Sequence, residues 1–285
     1  MLIIHHNDND GRLGAVICEM YTSISRSPDE PVRFLEMDYK DTFCATSIVK
    51  PDEKVIIVDF SLKPEEMLEL LGVTADVVWL DHHKTAIDRY ADFDIEIKGI
   101  REERERAGCM LAWDYFVWDD FDHANAPLVV RLISDYDTWT LSDSRSKALN
   151  YGLQSVDTSP GSGLWQRLIS SEEEVIKFCM GGEFVLGFAQ RRGFELANSY
   201  GYFAELDGVR IFCMHNPNPG MDWFWLLKDN GSDAFARIAF DGKKYTVSLY
   251  SETIDVSVIC KGYGGGGHPG AGGFVCDVLP WRMIK

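Results

Sequence analysis

Four short apolar runs frame the first hundred residues. "LIIHH" (2–6), "VRFLEM" (32–37), "KVIIVDF" (54–60) and "DVVWLDHH" (76–83) are rich in Val and Ile and bounded by polar or turn residues, so they read as buried strands. Apolar positions at helical spacing lie between them. "GRLGAVICEMYTSI" (11–24) follows the first run, and "KPEEMLELLGV" (63–73) follows the third, with Ser61 as its expected cap and Pro64 in its first turn. Strands that alternate with helices predict a parallel sheet covered on both faces.

Further along, "GCMLAWDYFVWDDF" (108–121) and "APLVVRLISDYDTW" (126–139) have helical spacing, and residues 171–203 read as a longer helical passage. From about residue 206 the pattern changes to strands, "GVRIFCMHN" and "AFARIAFDGKKYTVSLYSE", the second broken by a "DGKK" hairpin turn. The chain is therefore expected to be α/β, with an N-terminal parallel-sheet domain over 1–165, a helical connector over 166–203 and a smaller C-terminal α/β domain over 204–285. The charged run "REERERAG" (101–108) is expected to be a solvated loop or helix end.

Composition narrows the function classes. A chain that is 46% hydrophobic and 26% charged, without an apolar run of the roughly 18 residues a membrane span needs, fits a protein that stays in water. The first residues carry no basic segment followed by an apolar stretch, which makes the cytoplasm the expected location. Seven scattered cysteines with no C-x-x-C pair argue against a disulfide framework or a thiolate zinc site. The formal charge of −17 disfavours long nucleic acid as a partner, because phosphate binding ordinarily needs a basic surface. A small anionic substrate is compatible with it if divalent cations supply positive charge locally.

The candidate chemistry sits where the strands end. The first strand ends in His6, Asp8 and Asp10, the third in Asp59, and the fourth in Asp81, His82 and His83. In open parallel sheets the carboxyl ends of the strands form the ligand crevice, so these residues are expected to converge. A polar loop with a helix cap is the local alternative for the first group. Acids at the ends of buried strands need a partner or a metal. A thiolate-free set of carboxylates and imidazoles suits Mn²⁺ or Mg²⁺, with Co²⁺, Zn²⁺ and Fe²⁺ also accommodated. There are too many donors for one ion. Two ions roughly 3.5 to 4 Å apart would use them all, and form a clamp for displacement at phosphorus. "RLISDYDTW" offers Asp135 as a further ligand, with Asp137 as the alternative.

A second signal is "GYGGGGHPGAGGF" (262–274), where consecutive glycines before His268 offer backbone N–H groups to an anion. Its alternative is a glycine-rich turn between a helix and a strand. "MDWFWLL" (221–227) and Trp139 could stack bases, although a core role is the simpler reading.

Taken together, "HNDNDG", "VIIVDF", "LDHHKT", "ISDYD" and "GGGGHPGAGG", in this order, resemble the motifs of the DHH phosphoesterase superfamily. The likeness is to members with the smaller DHH-associated C-terminal domain, such as nanoRNases and oligoribonuclease-like enzymes. It implies a DHH domain, a connector and a DHH-associated substrate-binding domain over the three ranges above. It implies further that His6, Asp8 and Asp59 hold one Mn²⁺ while Asp10, Asp59, His82 and Asp135 hold a second. His83 would face the scissile phosphate, with Asp81 orienting a neighbouring imidazole, and His268 with Gly265, Gly266 and Gly267 would hold the substrate's far phosphate. The implied activity is hydrolysis of very short oligonucleotides or dinucleotides to 5′-mononucleotides. A phosphatase for nucleotide bisphosphates, a cyclic-dinucleotide phosphodiesterase and a non-hydrolytic nucleotide sensor are the alternatives, and a homodimer is compatible with the sequence. Two departures stand out. The first motif reads H-x-D-x-D rather than H-x-x-x-D-x-D, which leaves His5 as an alternative to His6, and "SLYS" places Tyr250 where several relatives carry an arginine.

Overall fold

A computed structural model describes residues 1–22, 31–93, 95–102, 106–117, 125–216 and 230–284. They form two compact units, Met1–Leu186 and Gly187–Lys285.

The first unit is built on β1 (Leu2–His6), β2 (Arg33–Met37), β3 (Val55–Val58) and β4 (Val77–Leu80), all parallel in the order β2-β1-β3-β4. Alternation decides which face each side chain serves. Ile3, Ile56, Val58, Val78 and Leu80 join one core with helices α1 (Asn9–Thr22), α5 (Gly108–Phe116), α6 (Leu128–Asp137), α7 (Ser144–Leu153) and α8 (Leu164–Ser170). Leu2, Ile4, Val55, Ile57 and Trp79 join a second core with α2 (Ala45–Ile48) and α3 (Pro64–Val73). Burial on both sides is why "VIIV" has no polar alternation. A one-turn helix, α4 (Lys84–Ile87), follows the fourth strand.

Register sets the site. His5 pairs with Val58 and Val58 with Leu80, so the next residues along each strand, His6, Asp59 and Asp81, come out side by side at the carboxyl edge. One expectation needs correcting here. Ser61 does not cap α3: Lys63 precedes Pro64, and its N–H donates to Glu66 Oε2 at 3.0 Å, while the Ser61 hydroxyl donates to Asp81. The charged run ends in the start of α5 at Gly108, as the helix-end reading has it, but its described arginines are not merely solvated, and residues 103–105 lie outside the described residues. Arg101 continues the sheet as a parallel bridge to Asp81, and Arg106 binds Asp114 at 2.7 Å.

α9 (Glu172–Tyr200) is 29 residues long and contains the division between the units. The second unit is a mixed sheet of β5 (Tyr202–Leu206), β6 (Val209–His215), β7 (Ala234–Phe240), β8 (Tyr245–Tyr250), β9 (Gly266–His268), β10 (Ala271–Cys276) and β11 (Arg282–Ile284). Its order is β11-β5-β6-β7-β8-β10-β9, antiparallel except between β6 and β7. The short helix α10 (Val256–Gly262) packs on one face over Ile211, Ala236, Val247, Leu249 and Phe274. No helix among the described residues is long and apolar enough to cross a membrane. All seven cysteines are free, and five are buried. The "MDWFWLL" stretch and residues 118–121 of the expected helix lie outside the described residues.

Candidate metal centre

β1 delivers His6, and the turn into α1 delivers Asp8. One oxygen of Asp8 accepts the Gly11 N–H at 2.9 Å, which caps α1, and the other lies 2.6 Å from His6 Nδ1. The capping role and the site role thus coexist in one carboxylate. His5 faces elsewhere: it is buried, and its Nδ1 meets the His6 carbonyl at 2.8 Å. His6, not His5, stands with the acids.

Asp10 lies in the first turn of α1 with 2% of its surface exposed, and its two oxygens accept the N–H groups of Gly108 and Cys109 at 2.6 and 2.8 Å. It closes the amino end of α5, where N–H groups lack helical partners and the helix dipole favours an anion. Glycine is required at 108, since a Cβ there would fall 2.4 Å from Asp59 Cβ.

Asp59 directly follows β3 and lies in the left-handed region (φ 56°), which Asp tolerates better than most residues. The bend turns its carboxylate into the cluster. Oδ1 is 3.1 Å from His82 Nε2 and 3.8 Å from His83 Nδ1, and Oδ2 is 3.7 Å from His6 Nδ1. That Oδ2 is buried and has no hydrogen-bond partner among the described residues.

His82, fully buried, places Nε2 at 3.2 Å from Asp137 Oδ2 and 3.9 Å from Asp10 Oδ2. Asp81 is also fully buried, and it works as a scaffold: Oδ1 accepts the backbone N–H groups of His82 and His83 and sits 2.8 Å from His83 Nδ1, while Oδ2 accepts from Ser61. His83 is thereby held by one ring nitrogen.

Asp135 is the expectation that geometry reverses. Its Oδ1 accepts from Ser142 N and Oγ at 2.8 and 2.6 Å, and its Oδ2 accepts from Asp143 N at 3.2 Å and from the Ser146 hydroxyl. It fastens the turn between α6 and α7, and Asp137 takes the place beside His82.

Three groups of donors result among the described residues, His6–Asp8–Asp59, Asp59–His82–His83 and Asp10–His82–Asp137, each with its donor atoms within 4.8 Å of one another. Asp59 joins the first two, and His82 joins the last two.

The charges agree with the geometry. Burial, reinforced by the charges of Asp10, Asp8, Asp137 and Asp81, pushes the Asp59 carboxyl well above the usual range. Burial and then the charge of Asp137 push Asp10 up to about 6. Burial would lower His82, but Asp137 and Asp10 outweigh it and raise it to about 9. Burial likewise opposes ionisation of Asp8, yet His6 beside it holds that carboxyl below its ordinary value. Without a cation, protons offset the crowded negative charge. An orphaned buried carboxylate oxygen within a hard oxygen and imidazole set is what a divalent cation would satisfy, and the residues present fit one.

In the second unit, Gly265 is less available than expected, because its N–H already donates to the Cys260 carbonyl at 2.9 Å. A Cβ at Gly265 would lie 2.0 Å from the Gly273 carbonyl, and one at Gly267 (φ 135°) 2.5 Å from that of Ala271, so these glycines let the strands close. Gly266, Gly267 and His268 form β9. Tyr250 pairs with Ala271 and Ala271 with His268, so Tyr250 and His268 share one row and face of the sheet. In a second row Arg237 pairs with Ser248 and donates to its hydroxyl at 3.0 Å, with Gly273 and Gly266 beyond.

Ser61, Gly108, Tyr39 and Arg237 had no site role in the reading of the sequence. A serine just past a strand-end acid, and a glycine opening a helix, were the available signals for the first two. The other two had none. Trp139 is half-buried, with the Lys147 ammonium 5.7 Å from its ring centroid, and is not a core residue.

This fold is shared with DHH-domain proteins. The DHH domain of a member of a family of ribosomal proteins superposes with a TM-score of 0.60 at 16% identity, over 99% of this chain and 82% of that one. The pGpG-specific phosphodiesterase PggH of Vibrio cholerae gives 0.51 at 13%, over 97% and 93%, and exonuclease RecJ bound to manganese gives 0.50 at 12%, over 97% and 85%. At these identities the likeness is one of fold, to DHH-domain proteins. In sequence it is 23% identical to oligoribonuclease NrnB of Bacillus subtilis, over 94% of this chain and 71% of that protein. It is 24% identical to the uncharacterised protein R106 of Acanthamoeba polyphaga mimivirus, over 82% of this chain and only 56% of that longer protein. No protein-family profile matches the chain.

Proposed function

We propose that the chain is a phosphodiesterase that uses two divalent cations, Mn²⁺ first among them, to hydrolyse very short oligonucleotides or dinucleotides to 5′-mononucleotides. The observation that carries this reading is Asp59, a buried carboxylate with one oxygen toward His6 and Asp8 and the other toward His82 and His83. His6, Asp8 and Asp59 would hold one cation. Asp10, Asp59, His82 and Asp137 would hold the other. When bound, such cations supply Lewis acidity toward phosphoryl oxygens and make water acidic enough to act as a nucleophile.

The chain's own residues supply the rest. Asp81 lies 2.8 Å from His83 Nδ1, which fixes the ring and would leave Nε2 for the phosphoryl or leaving oxygen. Ser61 keeps Asp81 in that orientation. In the second unit, His268, Tyr250 and Arg237 would offer donors to a phosphate, with Arg237 providing the guanidinium that "SLYS" lacks. The net charge of −17 supports a short substrate, because repulsion disfavours long polyanions while two cations neutralise one phosphate locally.

The test compares initial rates of Mn²⁺-loaded protein on dinucleotides, long oligomers, cyclic dinucleotides, nucleotide bisphosphates and pyrophosphate. Dinucleotides are expected to turn over fastest. Equal rates on long and short oligomers would defeat the short-substrate reading, and no turnover of any compound by fully metallated protein would favour a sensor.

A further inference from the structure

β2 runs parallel to β1 with Met37 opposite His6, so the chain leaves the sheet level with the donor groups. The turn that follows is fixed at both ends: Asp38 N–H donates to Asp41 Oδ2 and Asp41 N–H donates to the Asp38 carbonyl, each at 2.8 Å. This turn carries Tyr39 to the strand ends. Its ring centroid lies 5.6 Å from that of His6, 5.8 Å from that of His83 and 4.9 Å from that of Phe60. Phe60 is buried and stacks at 20° to His6, whereas Tyr39 keeps 39% of its surface open.

Acids and imidazoles meet every need of a cation and a phosphate at this centre. Neither has a use for a large, half-open aromatic ring beside the two histidines. An inorganic phosphate compound has no apolar surface to lay on such a ring, and a nucleotide ester has one next to the reacting phosphorus. Base stacking on an aromatic side chain is sequence-tolerant, since every base has a π-face. A phenol is neutral near neutral pH, so the ring does not repel a phosphate.

We infer that Tyr39, backed by Phe60, is the stacking surface for the nucleobase beside the reacting phosphate, and that it makes this centre select nucleotide esters over inorganic phosphates. The inference rests on the phosphodiesterase reading and adds a residue that determines specificity.

The experiment uses Tyr39→Leu and Tyr39→Phe in the full chain loaded with Mn²⁺, with metal titration to verify that the centre is intact. Equilibrium binding of 5′-AMP and of inorganic phosphate is measured alongside dinucleotide kinetics. Tyr39→Leu is expected to weaken 5′-AMP about 5- to 50-fold and to raise KM rather than lower kcat, while inorganic phosphate binds as in the wild type. Tyr39→Phe is expected to restore both. An equal loss of 5′-AMP and phosphate binding would overturn the inference by making Tyr39 a support of the centre itself. Failure of Phe to restore binding would replace stacking by a hydroxyl contact and overturn it as well. If the wild type binds 5′-AMP in this selective way yet hydrolyses no ester, the phosphodiesterase reading fails and the stacking surface stands. If dinucleotides turn over and Tyr39→Leu changes neither binding nor KM, the inference fails alone.

Discussion

Gly108→Ala is the most economical test of how the centre is assembled. The added methyl would meet Asp59 Cβ at 2.4 Å, Asp59 Cα at 2.8 Å and Asp10 Oδ2 at 3.0 Å. Non-bonded carbons sit about 3.5 to 4.0 Å apart, so something must retreat by about 1 Å. Asp59 is anchored at the end of a strand buried on both faces, which leaves the first turn of α5 to move. That movement stretches the two N–H bonds by which Gly108 and Cys109 hold Asp10. Overpacking of this kind costs about 1 to 3 kcal/mol, or roughly 2 to 12 °C in melting midpoint for a unit of this size. Because Asp10 loses its orientation, Mn²⁺ affinity is expected to fall about 10- to 100-fold, as when a partner of a metal ligand is removed. Thermal melts read the first effect and calorimetric Mn²⁺ titration the second. Gly72→Ala in α3 is the control, since nothing lies within 4 Å of its added methyl, and it is expected to gain up to about 1 kcal/mol. The reasoning is refuted if Gly108→Ala melts and binds Mn²⁺ like the wild type, or if Gly72→Ala loses as much.

Three further outcomes are expected. Asp59→Asn removes a buried carboxyl that Asp10, Asp8, Asp137 and Asp81 crowd and whose Oδ2 has no hydrogen-bond partner among the described residues, and it suits the left-handed backbone there, so the metal-free variant melts above the metal-free wild type but loses its response to Mn²⁺; a lower midpoint without metal would contradict this. Asp137→Asn weakens Mn²⁺ binding with little change in stability, whereas Asp135→Asn lowers the melting midpoint through the α6–α7 turn and leaves the titration intact; the reverse pattern would restore Asp135 as the ligand. Asp10 and His82 titrate higher in the folded protein than normally, at about 6 and about 9, and Asp59 is raised too, so each contributes stability that is complete at low pH and lost as pH rises through the folded value. Mn²⁺ displaces the same protons, and its effect on the melting midpoint should be larger at about pH 8 than at about pH 5.5, a claim that equal shifts would sink.

The parts of this protein that were legible in the sequence are those with one local solution. A run such as "VIIV" can be satisfied by little other than a strand covered on both faces, and an acid placed directly after it must find a partner at the strand's carboxyl end. That logic reached His6, Asp59, Asp81, His82 and His83 without any knowledge of the packing. It put Asp135 ahead of Asp137 with nothing local to decide between them, because both end the same helix and point about 160° apart around its axis. Which of them turns to His82 depends on how α6 docks, and the Ser142 to Ser146 turn draws Asp135 away through donors that come after the helix. Gly108 was invisible for the same reason: its lack of a side chain matters only against Asp59 and Asp10, nearly 50 and 100 positions earlier in the chain. Ser61 misled because a serine shortly before a helix has the look of a cap, while Pro64 set the helix start and left that hydroxyl for Asp81. Strand ends are therefore set by local pattern. The choice of which side chain completes the centre belongs to contacts between elements, and there a substitution two residues along a helix, or one methyl on a glycine, decides whether the donors meet.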